Sequence, residues 1–500
     1  MTTLPHLYRH SLALLTDLYQ LTMAFAYWKE GLAEREAAFH LIFRRCPFGG
    51  QYAVACGLSY AIDFIENFRF DEGDVAYLAS LRGAEDRPLF EPAFLDYLRE
   101  FRIRCEIDAV PEGTAVFAHE PLVRVVGPLL QCQLLETPLL NMINFQTLIA
   151  TKAARVCRAA EGEPVLEFGL RRAQGIDGGV SASRAAFVGG CAATSNVLAG
   201  KLFDIPVKGT HAHSWVMSFD EEAEAFETYA RAMPHNALFL VDTYDTLAGV
   251  RNAVKAGRRL RQQGNEMLGI RLDSGDLTAL SIEARKILDG GGFPKAAIVA
   301  SGDLDEYEIA EAKRRGAKID TWGVGTRLAT AWEQPALGGV YKLAAIKEDG
   351  AWRHRVKLSD SPVKVSDPGI LQVRRYASRG RFVGDAIYDE SLGVREQPTI
   401  VALAGERRRA ISTGDANEDL LVPIFRDGVR RYDAPSTKAA QERTLSQLST
   451  LDETVTRLDD PQPYPVGLEE RLFDLKAKLM QEARQKIEPE GNANLHRSFT

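Results

Sequence analysis

The chain has few of the residues that disulfide frameworks and metal sites require. Its 500 residues include 6 cysteines and 9 histidines, and no two cysteines form a C-x-x-C pair. Scattered cysteines of this kind are typical of free thiols in a reducing compartment. They argue against a disulfide-stapled fold and a cysteine zinc site, and we expect a cytoplasmic protein.

Long apolar runs and an excess of positive charge are also missing. No apolar segment reaches the roughly 18 residues that a membrane-spanning helix needs. The first ten residues, MTTLPHLYRH, lack the layout of an export signal. The formal net charge of -7 argues against a nucleic-acid partner, which normally requires a basic face. We therefore expect neither a membrane nor a nucleic acid as partner.

Short apolar segments that end in polar residues recur through the middle of the chain. Most of them lead into a helical stretch, and the unit repeats roughly every 20–40 residues, as successive βα units do. We predict a (β/α) barrel or parallel sheet over residues 151–340. Catalytic groups of such folds gather at the carboxyl ends of the strands, where the polar residues lie here.

The flanking regions differ from this pattern. Residues 1–150 are predicted to form an N-terminal α/β domain, with a first helix over 14–31. Alternating apolar and polar residues over 341–436 predict a β-rich segment that returns to the N-terminal domain. Residues 437–500 are predicted as a polar, partly mobile linker followed by an amphipathic helix. The stripe of that helix consists of Leu468, Leu472, Leu475 and Leu479.

Two histidines, His211 and His213, follow a short apolar segment. On a strand, alternation would point both rings to one side, as in metal-dependent barrel hydrolases. Such a site needs ligands from later strand ends, and no later histidine ends an apolar strand. Three interpretations remain open for the pair: a metal site, a structural pair, or a ring that acts as nucleophile or phosphate acceptor.

Charged residues at neighbouring strand ends are suited to a multiply anionic ligand. Arg171 and Arg172 follow one segment, and Asp242 follows another. Arg271 and Asp273 share one side of a third strand by alternation. Guanidinium groups bind carboxylates and diphosphates in bidentate fashion. The alternative is a structural ion-pair network, which is costly in the middle of a strand.

Glycines mark the last two strand ends, at Gly302 and at Gly323 and Gly325. Glycines often only make tight turns, but here they could let backbone N–H groups approach an anion. The helix that follows Thr326 would add its positive end. Since the last two loops of a barrel commonly bind phosphate, we expect a phosphate at this end of the ligand.

Several blocks of the sequence resemble the nicotinate phosphoribosyltransferase family in order and spacing. They are TDLYQLTMAFAYW, FRRCPFGGQYAVACGL, EFGLRRAQGIDGG, GTHAHSWV, VDTYDT, RLDSGDL, GVGTRLAT, QPALGGVYKL and LLVPIFRDG. The resemblance implies an α/β fold: an irregular (β/α) barrel of the type II phosphoribosyltransferases plus an α/β domain built from the N- and C-terminal segments. It also implies a homodimer with the site near the subunit boundary.

The resemblance implies a reaction in NAD biosynthesis. Members of the family join nicotinate to 5-phosphoribosyl 1-diphosphate, giving nicotinate mononucleotide and pyrophosphate, with ATP as co-substrate. The histidine that accepts phosphate from ATP falls on His213 in the pattern G-T-x-A-H-S, whereas His211 lies at the variable position. Mg²⁺ is expected mainly through the pyrophosphate of the substrate, with Asp273 facing Mg²⁺ and the ribose hydroxyls.

Further positions match substrate-binding residues of the family. Thr210 and Arg271 match the residues that hold nicotinate, and Arg171 matches the guanidinium near the ring and the diphosphate. Tyr19 matches the aromatic residue that covers the pyridine ring, expected from the partner subunit. Thr326, with Gly323 and Gly325, matches the loop that binds the 5′-phosphate. Asp242 and Ser301 are further expected substrate-binding residues, with Asp242 near the middle of the ligand.

Two features bear on specificity and on alternatives. The neutral Thr194, Ser195 and Asn196 favour nicotinate, because family members that act on nicotinamide carry an aspartate there. Gly302 departs from the family pattern, in which we expect an asparagine. The nearest alternative is a nicotinamide phosphoribosyltransferase, followed by a metal-dependent barrel hydrolase that uses the H-x-H pair and by a non-catalytic binding module.

Overall fold

The part of the chain that the structure describes, in a computed structural model, comprises residues 11–359, 364–402, 407–412, 414 and 416–487. The decapeptide MTTLPHLYRH and His496 lie outside the described residues. None of the helices in these ranges is long and apolar enough to cross a membrane.

The secondary structure alternates between strands and helices. The strands are β1 (Glu36–Phe43), β2 (Ala53–Val54), β3 (Glu106–Ala109), β4 (Ala115–Val116), β5 (Pro121–Pro128), β6 (Val165–Glu167), β7 (Ala193–Thr194), β8 (Leu238–Leu240), β9 (Gly269–Leu272), β10 (Ala297–Ser301), β11 (Thr321–Val324), β12 (Gly339–Glu348), β13 (Ala351–His354), β14 (Leu371–Ser378), β15 (Arg381–Asp389), β16 (Thr399–Ala402), β17 (Arg408–Ala410), β18 (Ala416–Asp419), β19 (Val422–Arg426), β20 (Val429–Arg430) and β21 (Val466–Glu469). The helices are α1 (Leu18–Lys29), α2 (Leu58–Glu66), α3 (Glu72–Ser80), α4 (Pro92–Arg99), α5 (Leu129–Leu134), α6 (Glu136–Ala159), α7 (Gly175–Val188), α8 (Val197–Phe203), α9 (His213–Val216), α10 (Glu222–Ala232), α11 (Thr246–Gln262), α12 (Leu277–Gly290), α13 (Glu306–Arg314), α14 (Thr326–Ala329), α15 (Thr437–Thr450), α16 (Glu453–Thr456) and α17 (Glu470–Ile487). Short 3-10 helices cover Pro47–Gly49, Ala84–Asp86 and Leu170–Arg172.

An antiparallel sheet with the order β13-β12-β1-β5-β3-β19-β20 forms the N-terminal domain. In β1, with the sequence EAAFHLIF, every residue after Glu36 is buried, so both faces of the strand are covered. β12 and β19 come from later parts of the chain and pair with β1 and β3. The predicted α/β domain built from both ends of the chain is therefore confirmed.

A parallel sheet with the order β7-β6-β11-β10-β9-β8 forms the middle of the chain. Its first strand in sequence, β6, lies beside its last, β11, as in a (β/α) barrel. A further parallel bridge joins Thr194 of β7 to Val207. Within the described residues, no backbone hydrogen bond joins Val207 to β8, so the sheet has one open seam.

The polar residues in the loops after β8, β9 and β10 have two different positions, at the strand end and at the start of the next helix. The first residues of each loop remain near the strand end, and the last is an aspartate that caps the next helix. Asp245, Asp276 and Asp305 accept hydrogen bonds from backbone N–H groups at the starts of α11, α12 and α13. These caps satisfy otherwise unpaired N–H groups and fix where each helix begins. The end of each loop is thereby attached to the helix that follows it.

A third sheet, with the order β17-β16-β21-β15-β14-β18, is formed by the C-terminal region. The sequence predicted a single β-rich segment over 341–436 that returns to the N-terminal domain. In the structure the strands of this segment divide between the antiparallel N-terminal sheet and this separate sheet. Alternation alone does not show which sheet a strand joins, because it reports only that one face is buried.

The segment 437–460, predicted as a polar and partly mobile linker, is instead largely helical. Ser436 caps α15 by accepting a hydrogen bond from the N–H of Ala439 at 3.1 Å. Ala440 is fully buried, and its carbonyl lies so close to Gly113 that any side chain at that glycine would collide with it. The linker prediction is wrong because the buried face consists of alanine, threonine and glutamine, which leave no apolar stripe in the sequence.

The last helix also begins later than the leucine stripe predicted. Leu468 belongs to β21, and α17 starts at Glu470. Leu472 is fully buried, whereas Leu475 and Leu479 are half-buried. The stripe is therefore a helical face only from Leu472 onward.

His211 spans the open seam beside β8. Its Nε2 accepts a hydrogen bond from the backbone N–H of Leu240 at 3.2 Å, and its ring meets Tyr229 edge-on at 4.9 Å. Because Nε2 is the acceptor, the neutral ring carries its proton on Nδ1, which faces the carbonyl of Ala212. Burial lowers the pKa of His211 to about 4. This histidine is a structural element of the seam in the parallel sheet.

We predict that His211 makes stability pH-dependent. Its pKa falls from about 6.5 in the unfolded chain to about 4 in the fold, so its contribution is complete above pH 6.5 and is lost as the pH falls towards 4. His211→Gln keeps an acceptor for Leu240 without titrating there. In thermal unfolding across this range, the variant should lose less stability than the wild type, and parallel curves would contradict the assignment.

His211→Leu provides the matched control. It keeps an apolar side chain beside Tyr229 but leaves the buried N–H of Leu240 without its acceptor. An unsatisfied buried donor costs roughly 1–3 kcal/mol, so this variant should be less stable than His211→Gln at neutral pH. Equal stability of the two variants at pH 7 would show that the seam bond contributes nothing.

Candidate active site

Side chains from three neighbouring strand ends meet the segment that follows Val207. β9 contains Arg271 and ends just before Asp273, β10 ends with Ser301, and Asp242 follows β8. Parallel strands end at one edge of the sheet, which brings these residues together although they are distant in sequence. We call the assembled group the strand-end cluster; it comprises Thr210, His213, Asp242, Arg271, Asp273 and Ser301.

Arg271 is the centre of the strand-end cluster. Its Nη2 donates to Asp273 Oδ1 at 2.6 Å, and its Nε donates to Ser301 Oγ at 2.7 Å. Its Nη1 donates to Thr210 Oγ1 at 3.3 Å. The three partners come from three different segments, and the side chain is only 15% exposed. The plane of the guanidinium group is therefore fixed before any ligand binds.

Asp273 connects the guanidinium group to the imidazole. Its Oδ1 accepts hydrogen bonds from Arg271 and Ser301, while its Oδ2 lies 3.7 Å from His213 Nε2. Burial alone would raise the pKa of Asp273, but the Ser301 hydrogen bond and the charge of Arg271 hold it below its ordinary value. The carboxylate is thus ionised at neutral pH and faces the imidazole.

Asp242 has one satisfied and one unsatisfied oxygen. Its Oδ2 accepts from the N–H of Asp273 at 2.9 Å and from the Ser274 hydroxyl at 2.7 Å. Its Oδ1 is buried and has no hydrogen-bond partner among the described residues. A buried carboxylate oxygen without a partner is costly, which makes this atom suited to a ligand or a cation.

The acidic residues fit a Mg²⁺ ion that arrives with its substrate. Asp242 and Asp273 together offer hard oxygen donors, which Mg²⁺ prefers. Across the described ranges, no group of three or more His, Cys, Asp or Glu side chains is arranged to hold a metal. Mg²⁺ usually binds through one or two carboxylates plus substrate phosphates, and this donor set matches that mode.

The two histidines of the H-x-H pair have different partners. His211 bonds to the backbone of Leu240, whereas His213 Nδ1 lies 3.2 Å from Thr243 Oγ1. The ring of His211 therefore bonds across the seam, whereas the ring of His213 belongs to the strand-end cluster. This arrangement separates the structural interpretation, which fits His211, from the chemical one, which fits His213.

The glycines at the last strand ends allow close packing. A Cβ at Gly323 would lie 2.7 Å from the ring of Phe168, and one at Gly325 would lie 3.2 Å from the Phe168 carbonyl. Gly302 has a φ of +106°, and a Cβ there would lie 2.2 Å from the carbonyl of Asp273. These contacts explain why glycine stands at 302, where an asparagine was expected. An additional phosphate-binding role for Gly323 and Gly325 stays a prediction.

Three of the predicted site residues form no hydrogen bond or ion pair with the strand-end cluster among the described residues. Arg171 is exposed in a 3-10 helix, and Thr326 begins α14. α14 is a single turn, so its end adds less positive potential than the sequence predicted. Tyr19 is 48% exposed and lies on a cleft of about 380 Å³ lined by α6 and residues 335–337.

Two residues of the site region had no predicted role. Phe168 follows β6, and its ring centroid lies 5.6 Å from the guanidinium carbon of Arg271. Thr243 contacts His213 directly. Both occupy blocks that resemble the family, EFGLRR and VDTYDT, but neither is charged and neither has the residue type that signals catalysis. Only spatial contact identifies them.

A second group of cations was also missed. Burial lowers the pKa of Lys342, and the charges of Arg44 and Lys357 lower it further, against an opposing effect of Glu136. In the part of the chain that the structure describes, no ion pair is formed by Arg44, Lys342 or Lys357. The two adjacent arginines in FRRCPFGG are the sequence signal that could have revealed this group. Unpaired cations held near one another are suited to an anion.

Comparisons with known proteins agree along the chain. Residues 14–144 match the model of the nicotinate phosphoribosyltransferase N-terminal domain. Residues 165–369 match the nicotinate phosphoribosyltransferase family, and residues 372–476 match the C-terminal domain. The chain is 44% identical over 487 residues to the nicotinate phosphoribosyltransferase of Bacillus subtilis (strain 168), covering 96% of this chain and 97% of that protein. It is 36% identical over 532 residues to the one of Homo sapiens, covering 93% and 96%.

Solved structures agree with this result. The crystal structure of human nicotinic acid phosphoribosyltransferase matches with a TM-score of 0.82 and 33% identity, over 93% of this chain and 99% of that chain. The nicotinate-nucleotide pyrophosphorylase from Pyrococcus furiosus shares the fold, with a TM-score of 0.67 at 21% identity over 88% and 95% of the two chains. The resemblance noted in the sequence is confirmed. The chain therefore belongs to the nicotinate phosphoribosyltransferase family.

Proposed function

We propose that this chain joins nicotinate to 5-phosphoribosyl 1-diphosphate, and that it couples this step of NAD biosynthesis to ATP through His213. The observation that carries the proposal is the position of Asp273. Its two oxygens face Arg271 at 2.6 Å and His213 at 3.7 Å. A group that can bind a carboxylate and a group that can accept phosphate therefore open onto one site.

Nicotinate would bind at Arg271. The N–H groups of the guanidinium that are not used by Thr210, Ser301 and Asp273 can receive the carboxylate of the base, and the face of Phe168 lies beside them. Residues 194–196 contribute no carboxylate of their own for an amide, and the buried carboxylate of Glu167 already accepts hydrogen bonds from the Thr194 and Ser183 hydroxyls. Nicotinamide competition in the transferase assay would test this preference.

The ribose and its phosphates would lie across Asp273 and Asp242. Ribosyl transfer develops positive charge on the sugar carbon, which an ionised carboxylate such as Asp273 stabilises. Asp242 and Asp273 would hold Mg²⁺ together with the diphosphate, and the ion would supply the positive charge that the leaving pyrophosphate needs. The 5′-phosphate would bind at the start of α14, where Gly325 and Thr326 lie. Arg171, which is exposed, is available for the diphosphate.

ATP would act through His213. The imidazole is 39% exposed, so a phosphate group can reach it, and it lies inside the strand-end cluster. A histidine can form a covalent intermediate that divides one difficult step into two easier ones. Phosphate on His213 would add negative charge beside Asp273 and Arg271, and its hydrolysis would remove that charge. ATP could in this way alternate the site between two affinities for its anionic ligands.

A homodimer would complete the site with Tyr19. Two groups of apolar residues are exposed. Leu18 and Tyr19, at the start of α1, are 53% and 48% exposed. Ile176 and Val197, near the starts of α7 and α8, are 51% and 71% exposed. Exposed apolar residues in groups mark protein interfaces. A second copy that places its Tyr19 against this rim would cover the pyridine ring. The same interface would bury both apolar groups.

We predict that Arg271→Lys raises the KM for nicotinate, because an ammonium group replaces a bidentate fork. An increase of roughly tenfold or more is expected from the loss of about 1.5–3 kcal/mol of charged hydrogen bonding. Steady-state kinetics with nicotinate as the varied substrate measure this effect. An unchanged KM would move carboxylate recognition to Arg171 or Arg172.

We predict that His213→Ala abolishes stimulation by ATP but leaves a slow transfer at high 5-phosphoribosyl 1-diphosphate. The transfer itself uses Arg271, Asp273 and Mg²⁺, whereas the coupling requires the imidazole. Radiolabelled nicotinate, with and without ATP, follows the mononucleotide product in both cases. If the variant keeps normal coupling, phosphate transfer through His213 is excluded.

Mixed dimers test the shared site. Tyr19→Ala and His213→Ala chains are each expected to lose ATP-coupled transfer at low 5-phosphoribosyl 1-diphosphate. When the two are refolded or expressed together, half of the dimers are hybrids, and each hybrid has one intact site, so roughly a quarter of wild-type activity should return. No recovery would show that each chain uses its own Tyr19.

A further inference from the structure

The imidazole of His213 has a different neighbour at each ring nitrogen. Nδ1 lies 3.2 Å from the hydroxyl oxygen of Thr243, within hydrogen-bond distance. Nε2 lies 3.7 Å from Asp273 Oδ2, which is too far for a hydrogen bond. Nδ1 is therefore engaged, whereas Nε2 faces the cluster in which a substrate phosphate would bind.

The backbone around Thr243 is anchored on both sides. On one side of it, Asp242 accepts from the N–H of Asp273 and the hydroxyl of Ser274. On the other side, Asp245 is the N-cap of α11. These bonds hold the short segment that places the Thr243 hydroxyl beside the histidine ring.

The tautomer of the imidazole decides which ring nitrogen can attack phosphorus. A neutral ring has one N–H and one lone pair, and only the nitrogen with the lone pair can attack phosphorus. The partner of the other nitrogen sets which tautomer is present. If Thr243 accepts the Nδ1 proton, the lone pair lies on Nε2, the nitrogen that faces the site.

We infer that Thr243 is a positioning residue that selects Nε2 of His213 as the phosphate acceptor. The inference rests on the proposed ATP coupling through His213. The Nε2 lone pair forms the N–P bond to the γ-phosphorus of ATP, while the bond from that phosphorus to the bridging oxygen breaks and ADP leaves with the electron pair. Nδ1 keeps its proton throughout and donates a hydrogen bond to the hydroxyl oxygen of Thr243. In the later hydrolysis, water attacks phosphorus and Nε2 recovers its electron pair.

Asp273 does not provide the same orientation. A carboxylate that accepted a proton from Nε2 would fix the opposite tautomer and occupy the attacking nitrogen. Asp273 Oδ1 is already bound by Arg271 and Ser301, and its Oδ2 stops 3.7 Å short. The closer contact is the one from Thr243, and when the Thr243 hydroxyl accepts from Nδ1 the lone pair of the ring lies on Nε2, which no hydrogen bond from Asp273 occupies.

The test uses the full-length chain with Mg²⁺ and ATP. Phosphorus NMR of the phosphorylated wild type identifies the ring nitrogen, and quenched-flow measurements with labelled ATP give the rate of phosphorylation. Thr243→Val removes the hydroxyl at nearly constant volume, and Thr243→Ser restores it. Thr246→Val, at the first position of α11, removes a hydroxyl that forms no hydrogen bond among the described residues and serves as the matched control.

We expect phosphate on Nε2 of the wild type. Thr243→Val should slow phosphorylation roughly tenfold to a hundredfold, as loss of an orienting partner does for other functional histidines, with a much smaller change in the KM for nicotinate. Thr243→Ser should recover most of the rate, and Thr246→Val should match the wild type. A general loss of structure would instead affect both kinetic constants and would not be rescued by serine.

The contrary results separate two failures. Phosphate on Nδ1, or a normal phosphorylation rate in Thr243→Val, would overturn the role of Thr243 while leaving ATP coupling through His213 in place. Wild-type protein that hydrolyses ATP during nicotinate transfer without any phosphohistidine would overturn the proposed coupling itself, and the selection of Nε2 with it.

Discussion

The site depends on the ion pair between Arg271 and Asp273. Both side chains are largely withdrawn from water, so either charge alone would carry a large desolvation cost. The pair is stable because Ser301 hydrogen bonds to both members and Thr210 takes a further N–H. One cation and one anion are thereby kept side by side in fixed positions. The cation can bind the carboxylate of an aromatic acid, and the anion can face an electron-poor sugar carbon or a Mg²⁺ ion bound to a diphosphate.

Close backbone packing at the strand ends supports this pair. The ring of Phe168 lies where Gly323 has no side chain, and the carbonyl of Asp273 approaches Gly302 at a position that a Cβ would occupy. The three strand ends can therefore come near enough for one guanidinium group to reach three segments. His211 adds a hydrogen bond where the sheet has no strand pairing, so the segment that carries Thr210 and His213 is attached to β8 as well.

The sequence was most informative where structure is local. Short apolar segments with polar ends predicted the parallel strands, and alternation within GIRLDSGD placed Arg271 and Asp273 on one side. The partners that come from distant segments could not be predicted: Leu240 for His211, or Thr243 for His213. The third sheet and α15 were also missed. Alternation does not show which strand is the partner, and a buried face of alanine, threonine and glutamine looks polar in the sequence. Family resemblance supplied roles, but contact geometry identified Phe168 and Thr243.

The order of strands in the antiparallel sheet has a consequence for biosynthesis. β1 and β3 leave the ribosome early, yet their neighbours β12 and β19 are made only after the whole parallel domain. The parallel domain has its sheet strands within one continuous stretch and can fold as soon as it emerges, whereas the first domain must wait with unpaired strand edges. Nascent chains are thus most exposed to aggregation before β19 is synthesised, and folding proceeds from the middle of the chain to the domain that its two ends share.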